Sequence, residues 1–131
     1  MSTFRHPIEI ADIDRERFER LEAWVDTGAS YTWIPRPILI RLGYTPLYRR
    51  PFRVADGRII ERDLCRAHLR ISQEIQFTLC VFGDDQSEPL LGATALEEFA
   101  LGVNPIHHTL VPVVSNLLGF SPEAHDNEIR S

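Results

Sequence analysis

The chain has 131 residues, 44% of them hydrophobic, and a formal net charge of −5. That length suits one domain whose core needs no staples, and the acidic balance argues against a basic face for nucleic acid or anionic lipid. No apolar run is long enough to cross a bilayer and residues 1–7 lack the apolar segment of a secretory signal, so a cytoplasmic protein with no membrane partner is the expectation.

Residues 4–13 alternate in part and are interrupted by Pro7, which predicts an irregular or edge strand. The charged run 12–20 reads as a solvated turn, with one helical turn as the alternative. Residues 21–25 form a second strand that runs straight into Asp26-Thr27-Gly28-Ala29-Ser30. Tyr31 to Ile34 has strand propensity, and residues 35–42 fit a short helix with proline in its first turn and Gly43 at its exit. Phe52-Arg53-Val54 and Ile59-Ile60-Glu61 flank Ala55-Asp56-Gly57-Arg58, an Asp-Gly hairpin signal that favours a type I′ turn. Strands follow at 66–71 and 74–82, the second with alternation in Ile75, Phe77, Leu79 and Val81. Pro89-Leu90-Leu91-Gly92 is a buried strand meeting a glycine, residues 93–100 have helical spacing, and 101–103 and 109–113 close the fold as strands around an Asn104-Pro105 turn. The stretch 110–120 is apolar enough to need covering by the core or a partner. A domain over residues 1–120 and a polar tail over 121–131 are expected.

Many short strands with one or two short helices predict an all-β, barrel-like domain rather than a βαβ sandwich. Cys65 and Cys80 do not form a CxxC pair and read as two reduced, partly buried thiols.

The chemistry concentrates at Val25-Asp26-Thr27-Gly28-Ala29-Ser30. An apolar strand delivers an acid onto a turn of small residues. Gly28 allows close backbone approach, and the Thr27 and Ser30 hydroxyls can lock the carboxylate and loop. An Asp chosen only for turn chemistry is the plainer explanation of this segment taken alone. A second segment, Leu90-Leu91-Gly92-Ala93-Thr94, again places an apolar pair, a glycine and small residues before a helix, a weak internal repeat of the first. Asp12, Asp14, Asp63, Asp84, Asp85 and Asp126 sit in polar surroundings and read as solvated.

From about Phe4 to Val113 the chain resembles the retropepsin-like (retroviral-type) aspartic peptidases, in particular their small bacterial single-domain members. The Asp-Thr-Gly-Ala-Ser motif, Ile34-Pro35 before a short helix, the Asp-Gly hairpin and Leu-Leu-Gly before a helix occur in the family's order. The resemblance implies a homodimer in which Asp26 of each copy forms a catalytic dyad. Thr27, Gly28, Ala29 and Ser30 would support the loop, and Leu90, Leu91 and Gly92 would form the second glycine loop. Val54, Ala55, Asp56, Gly57, Arg58, Ile59 and Ile60 would form a flap over an extended peptide substrate, with an ordinary surface hairpin as the alternative. The charged tip, Asp56 and Arg58, departs from the glycine-rich viral flap, which keeps open a catalytically weak dimerisation or peptide-binding module. Dimer contacts implied by the family fall on residues 4–10 and 109–114.

Two carboxylates roughly 3 Å apart cannot both ionise comfortably, so such a pair shares one proton. Neither metal nor other cofactor is called for. His6, His68 and His125 lack ligand spacing, and His107-His108, read as strand neighbours, would point to opposite faces. Ser30 lies outside any nucleophile-elbow pattern. Trp24 and Trp33 read as core or dimer-seam residues in preference to substrate contacts, and Glu97-Glu98 as an exposed helix face.

Overall fold

The computed structural model describes residues 3–114. Nine strands and two helices follow in the order β1 (Phe4–Ala11), β2 (Phe18–Val25), β3 (Thr32–Pro35), α1 (Arg36–Arg41), β4 (Tyr48–Arg53), β5 (Ile59–Ile71), β6 (Glu74–Gly83), β7 (Leu90–Leu91), α2 (Ala93–Glu98), β8 (Leu101–Asn104) and β9 (Thr109–Pro112). The all-β expectation with two short helices holds. Period-two burial builds the sheet, because successive strand residues face opposite sides. Ile8 and Ile10, Ala23 and Val25, and Cys65, Ala67, Leu69 and Ile71 all point into one core, where each fully buried large aliphatic contributes about 1.5–3 kcal/mol.

Seven strands form one sheet in the order β1-β2-β7-β3-β6-β5-β4, and β1 also pairs with β5 at Glu9↔Arg70 and Ile10↔Leu69. That extra pairing closes a ring from which the β4–β5 hairpin projects. The two-residue β7 lies between β2 and β3, parallel to the first and antiparallel to the second. The chain therefore leaves β2, turns through Asp26 and returns as β3, with a segment some 60 residues later in sequence laid between the two arms. The strands β8 and β9 form a separate antiparallel pair, and its turn is held by Asn104, whose Oδ1 accepts from the amides of Ile106 and His107.

Several local expectations change. Residues 4–11 form a regular strand paired to β2 along its whole length, Pro7 lying opposite Glu22. The charged run is a turn only to Arg17, since Asp12 Oδ1 accepts from the amides of Glu16 and Arg17 and β2 starts at Phe18. The predicted strand at 66–71 is the second half of a 13-residue strand that also forms the hairpin arm. In β6 Thr78, Cys80 and Phe82 are buried and so is Val81 of the opposite phase, while Ile75 and Phe77 are 45% and 49% exposed. Both phases of that strand carry apolar residues, and both are buried only from Cys80 onward, where β3 joins β5 as a neighbour of β6. Phe77 stacks on the His68 ring, 4.4 Å away.

The histidine pair lies in the β8–β9 turn rather than on a strand, and His108 stacks on Phe4 at 6.0 Å. Cys65 and Cys80 are buried free thiols, directly opposite each other across β5 and β6. Burial pushes both thiols up, Cys65 to about 12. No helix among the described residues is long and apolar enough to cross a membrane. The tail expected over 121–131, and residues 115–120 of the apolar stretch, lie outside the described residues.

Candidate active site

The Asp26 loop is built from backbone hydrogen bonds to the segment around Gly92. As β2 ends, the Trp24 amide donates to the Pro89 carbonyl at 2.9 Å and the Asp26 amide to the Leu91 carbonyl at 3.0 Å. The turn then closes on itself. The Gly28 amide donates to Asp26 Oδ1 at 2.9 Å, and the Ala29 amide to the Asp26 carbonyl at 3.2 Å. Beyond the turn, the Ala29 and Ser30 carbonyls accept from the Ala93 and Thr94 amides at 2.8 and 3.0 Å. Those amides open α2 and have no partner inside the helix, so the loop satisfies donors the helix leaves unpaired.

Gly92 completes the junction. Its amide donates to Thr32 Oγ1 at 3.1 Å in a buried setting, and its carbonyl accepts from Leu96. The weak repeat seen in the sequence thus corresponds to two loops clasped together. Gly28, Ala29 and Ser30 act through their backbones. No hydrogen bond from the Thr27 or Ser30 hydroxyl is formed among the described residues, and Thr27 is exposed.

Asp26 opens onto a cleft of about 970 Å³ whose opposite wall is the β4–β5 hairpin. The loop side contributes Gly28, Ala29, Ser30 and Leu90, and the hairpin side Val54 and Ala55. Asp56, Gly57, Arg58, Ile59 and Ile60 are not among its lining residues, nor are Thr27, Leu91 and Gly92. At the hairpin tip the Gly57 amide donates to the Val54 carbonyl, and Gly57 has φ +89°. Only Gly57 takes a positive φ in this turn, so it is a three-residue turn with a glycine bulge instead of the expected type I′. The two tip charges pair with each other, Arg58 Nε to Asp56 Oδ2 at 2.7 Å. The Arg58 amide and guanidinium hold the Asp56 carboxyl below the usual carboxylate range.

Sequence inspection missed the aromatic lining. Tyr31, Trp33 and Phe52 face the cleft, with Phe52 edge-on to Trp33 at 5.2 Å and to Tyr31 at 6.1 Å. The signal was present: Thr32 and Ile34 are buried in the core, and strand alternation turns Tyr31 and Trp33 the other way. Trp24 is neither core nor cleft, its Nε1 donating to Glu88 and its ring lying under Arg5. Asp63, expected to be solvated, is held by Arg36 and Arg49 at 3.0 and 2.9 Å. Among the described residues no cluster of His, Cys, Asp and Glu is arranged to hold a metal.

Comparison with solved structures decides the architecture. A retropepsin-like aspartic protease from Rickettsia conorii superposes with a TM-score of 0.53 at 22% identity, covering 79% of this chain and 88% of the other. The Simian Foamy Virus protease does so with a TM-score of 0.50 at 15% identity, covering 72% and 94%. The fold is that of the retropepsin-like aspartic proteases. At these identities the likeness is one of fold. No protein-family model matches the sequence, and no curated protein matches it either. Within the retropepsin-like fold, Asp26 occupies the turn between β2 and β3 that meets the Gly92 loop.

Proposed function

We propose that this chain is one subunit of a homodimeric aspartic endopeptidase, with Asp26 from two copies forming the catalytic pair. The observation that carries the proposal is the placement of Asp26: it is the acid among the residues lining a cleft set between a tightly clasped loop and a projecting hairpin. The retropepsin-like fold and the similarity to two proteases support it.

With two copies facing across a two-fold axis, mutual repulsion leaves one proton shared between the carboxylates. The ionised member takes a proton from a water as that water attacks the scissile carbonyl, while the protonated member donates to the carbonyl oxygen. The tetrahedral intermediate then collapses, and the amide nitrogen leaves as an amine after gaining a proton. No covalent acyl-enzyme forms, and the chemistry calls for no cofactor. The Asp56–Gly57 hairpin serves as the flap, excluding water and holding an extended peptide by main-chain bonds. In this proposal β1 and β9 contribute to the subunit contact. Val113 and Val114, which follow β9, are 47% and 88% exposed and provide apolar surface for it.

The test compares wild type with Asp26→Asn on a mixed peptide library from mildly acidic to neutral pH, with and without a transition-state-mimicking aspartic inhibitor. Product from wild type alone, blocked by the inhibitor, is the expected result. Equal product from both proteins would remove Asp26 as the catalyst, and no product from either would leave a peptide-binding or dimerisation module. Sedimentation addresses the subunit contact separately: a strict monomer at high micromolar concentration contradicts a shared site.

A further inference from the structure

The cleft carries a cation that the peptidase chemistry does not use. Along β4, the half-buried residues Arg50 and Phe52, continued by Val54, alternate with the exposed Arg49, Pro51 and Arg53. One strand face therefore presents a guanidinium, an aromatic ring and an aliphatic side chain in a row to the cleft that holds Asp26. Arg50 Nη1 donates to the Tyr31 hydroxyl at 3.0 Å, and its guanidinium lies 5.3 Å from the Tyr48 ring centre and 5.9 Å from that of Tyr31. All of these partners are neutral.

Most other arginines among the described residues are matched by acids, the exceptions outside the cleft being Arg15, Arg17 and Arg66. Arg36 and Arg49 meet Asp63, Arg62 meets Asp84, Arg41 meets Glu19, and Arg70 meets Glu9. Among the described residues, neither Arg50 nor Arg53 forms an ion pair, and both line the cleft. In a chain of net charge −5, the cleft holds two unmatched cations against one acid. A guanidinium has five donors in a planar fork that fits a carboxylate bidentately. Arg50 is already oriented by its ring contacts and by Tyr31, so less ordering remains when an anion binds. Partial burial strengthens the attraction by limiting competition from water.

We propose that Arg50 is a specificity residue that selects peptides carrying a Glu or Asp side chain close to the scissile bond. The neighbouring apolar side chain of such a peptide packs on Phe52, Tyr31 and Trp33. This rests on the assignment of Asp26 as the catalyst only for its kinetic readout.

The experiment uses peptides capped at both ends, in which one Glu or Gln is moved along an otherwise apolar and serine-containing sequence. Wild type is expected to show a kcat/KM about tenfold or more higher for Glu than for Gln at one position. Arg50→Gln should bring that ratio to about 1, and raising the ionic strength should shrink it in wild type. A ratio near 1 in wild type, or one unchanged in Arg50→Gln, overturns the proposal. So does a preference that appears only when the C-terminal carboxyl is left uncapped.

Fluorescence anisotropy with Asp26→Asn and the same labelled peptides separates the two assignments. Preferential binding of the Glu peptide by Asp26→Asn, without hydrolysis by wild type, sinks Asp26 and keeps Arg50. Hydrolysis by wild type with no preference does the reverse.

Discussion

Gly92 lies so close to Tyr31 that a Cβ on the glycine would sit 2.3 Å from the Tyr31 carbonyl oxygen and 3.0 Å from that of Ala29. Its backbone angles, φ −100° and ψ 178°, are open to any residue. The constraint is contact with backbone that has no room to yield. Gly92→Ala should therefore cost about 3 kcal/mol or more and pull the Asp26 loop from its place. Gly57→Ala offers the contrast, since nothing lies within 4 Å of its Cβ but its φ is +89°. That substitution should cost only about 1 kcal/mol of backbone strain. Urea midpoints of the two variants check the ranking.

Two buried threonines should respond oppositely to the same change. Thr32 Oγ1 is the acceptor for the buried Gly92 amide, so Thr32→Val leaves that donor unpaired and should destabilise by about 1–3 kcal/mol. Thr78 is equally buried, yet its Oγ1 has no hydrogen-bond partner among the described residues. Thr78→Val should be neutral or stabilising by up to about 1 kcal/mol. Thermal unfolding of both variants decides the matter, and a fall in Tm for Thr78→Val would contradict it.

The choice of Asn at position 26 has a structural consequence. Asp26 Oδ1 accepts from the Gly28 amide, and the Asn side-chain oxygen can accept the same bond. Asp26→Asn should thus unfold within about 0.5 kcal/mol of wild type, whereas Asp26→Ala loses the bond and should fall by about 0.5–1.5 kcal/mol. On the proposed mechanism both lose cleavage by about a hundredfold or more. Parallel unfolding and peptide-cleavage measurements separate loop integrity from chemistry.

Alkaline pH should destabilise the fold through buried groups, Tyr44 and Cys65 among them. Burial pushes the Tyr44 hydroxyl, which donates to the Ala11 carbonyl, up to about 12 from an ordinary 10.0. Cys65 is likewise pushed from 9.0 to about 12. The unfolded chain releases these protons first, so the stability they carry is intact below pH 9 and is lost as pH rises through 12. The limiting slope is about 1.4 kcal/mol per pH unit for each group. Tyr44→Phe should remove the tyrosine share of that slope, at the cost of about 1 kcal/mol for the lost hydrogen bond. Denaturant unfolding at a series of alkaline pH values reads both effects.

Acid should act in the opposite sense on Asp63. Its bond from Arg36, helped by Arg49, holds its carboxyl below the ordinary 3.8. Its contribution is fully present above that value and is lost as pH falls through the lower folded value. Asp63→Asn should flatten the acid limb of a stability profile without altering the alkaline one.

Local chemistry alone determined much of this protein. Asp26-Thr27-Gly28 after an apolar strand, Leu91-Gly92 before a helix and Asp56-Gly57 between two strands were all legible, because periodicity and turn residues act over a few positions. The clasp between those segments was not. It depends on β7 lying between β2 and β3, and so on which distant strands pair. The same holds for β6, where both phases carry apolar residues and only its neighbours β3 and β5 decide that Cys80 and Phe82 turn inward. Tertiary structure alone places Arg50 beside Tyr31, in the cleft of Asp26 and without an acid of its own. Sequence specifies what each short segment prefers, whereas burial and charge matching belong to the contacts that long-range pairing creates.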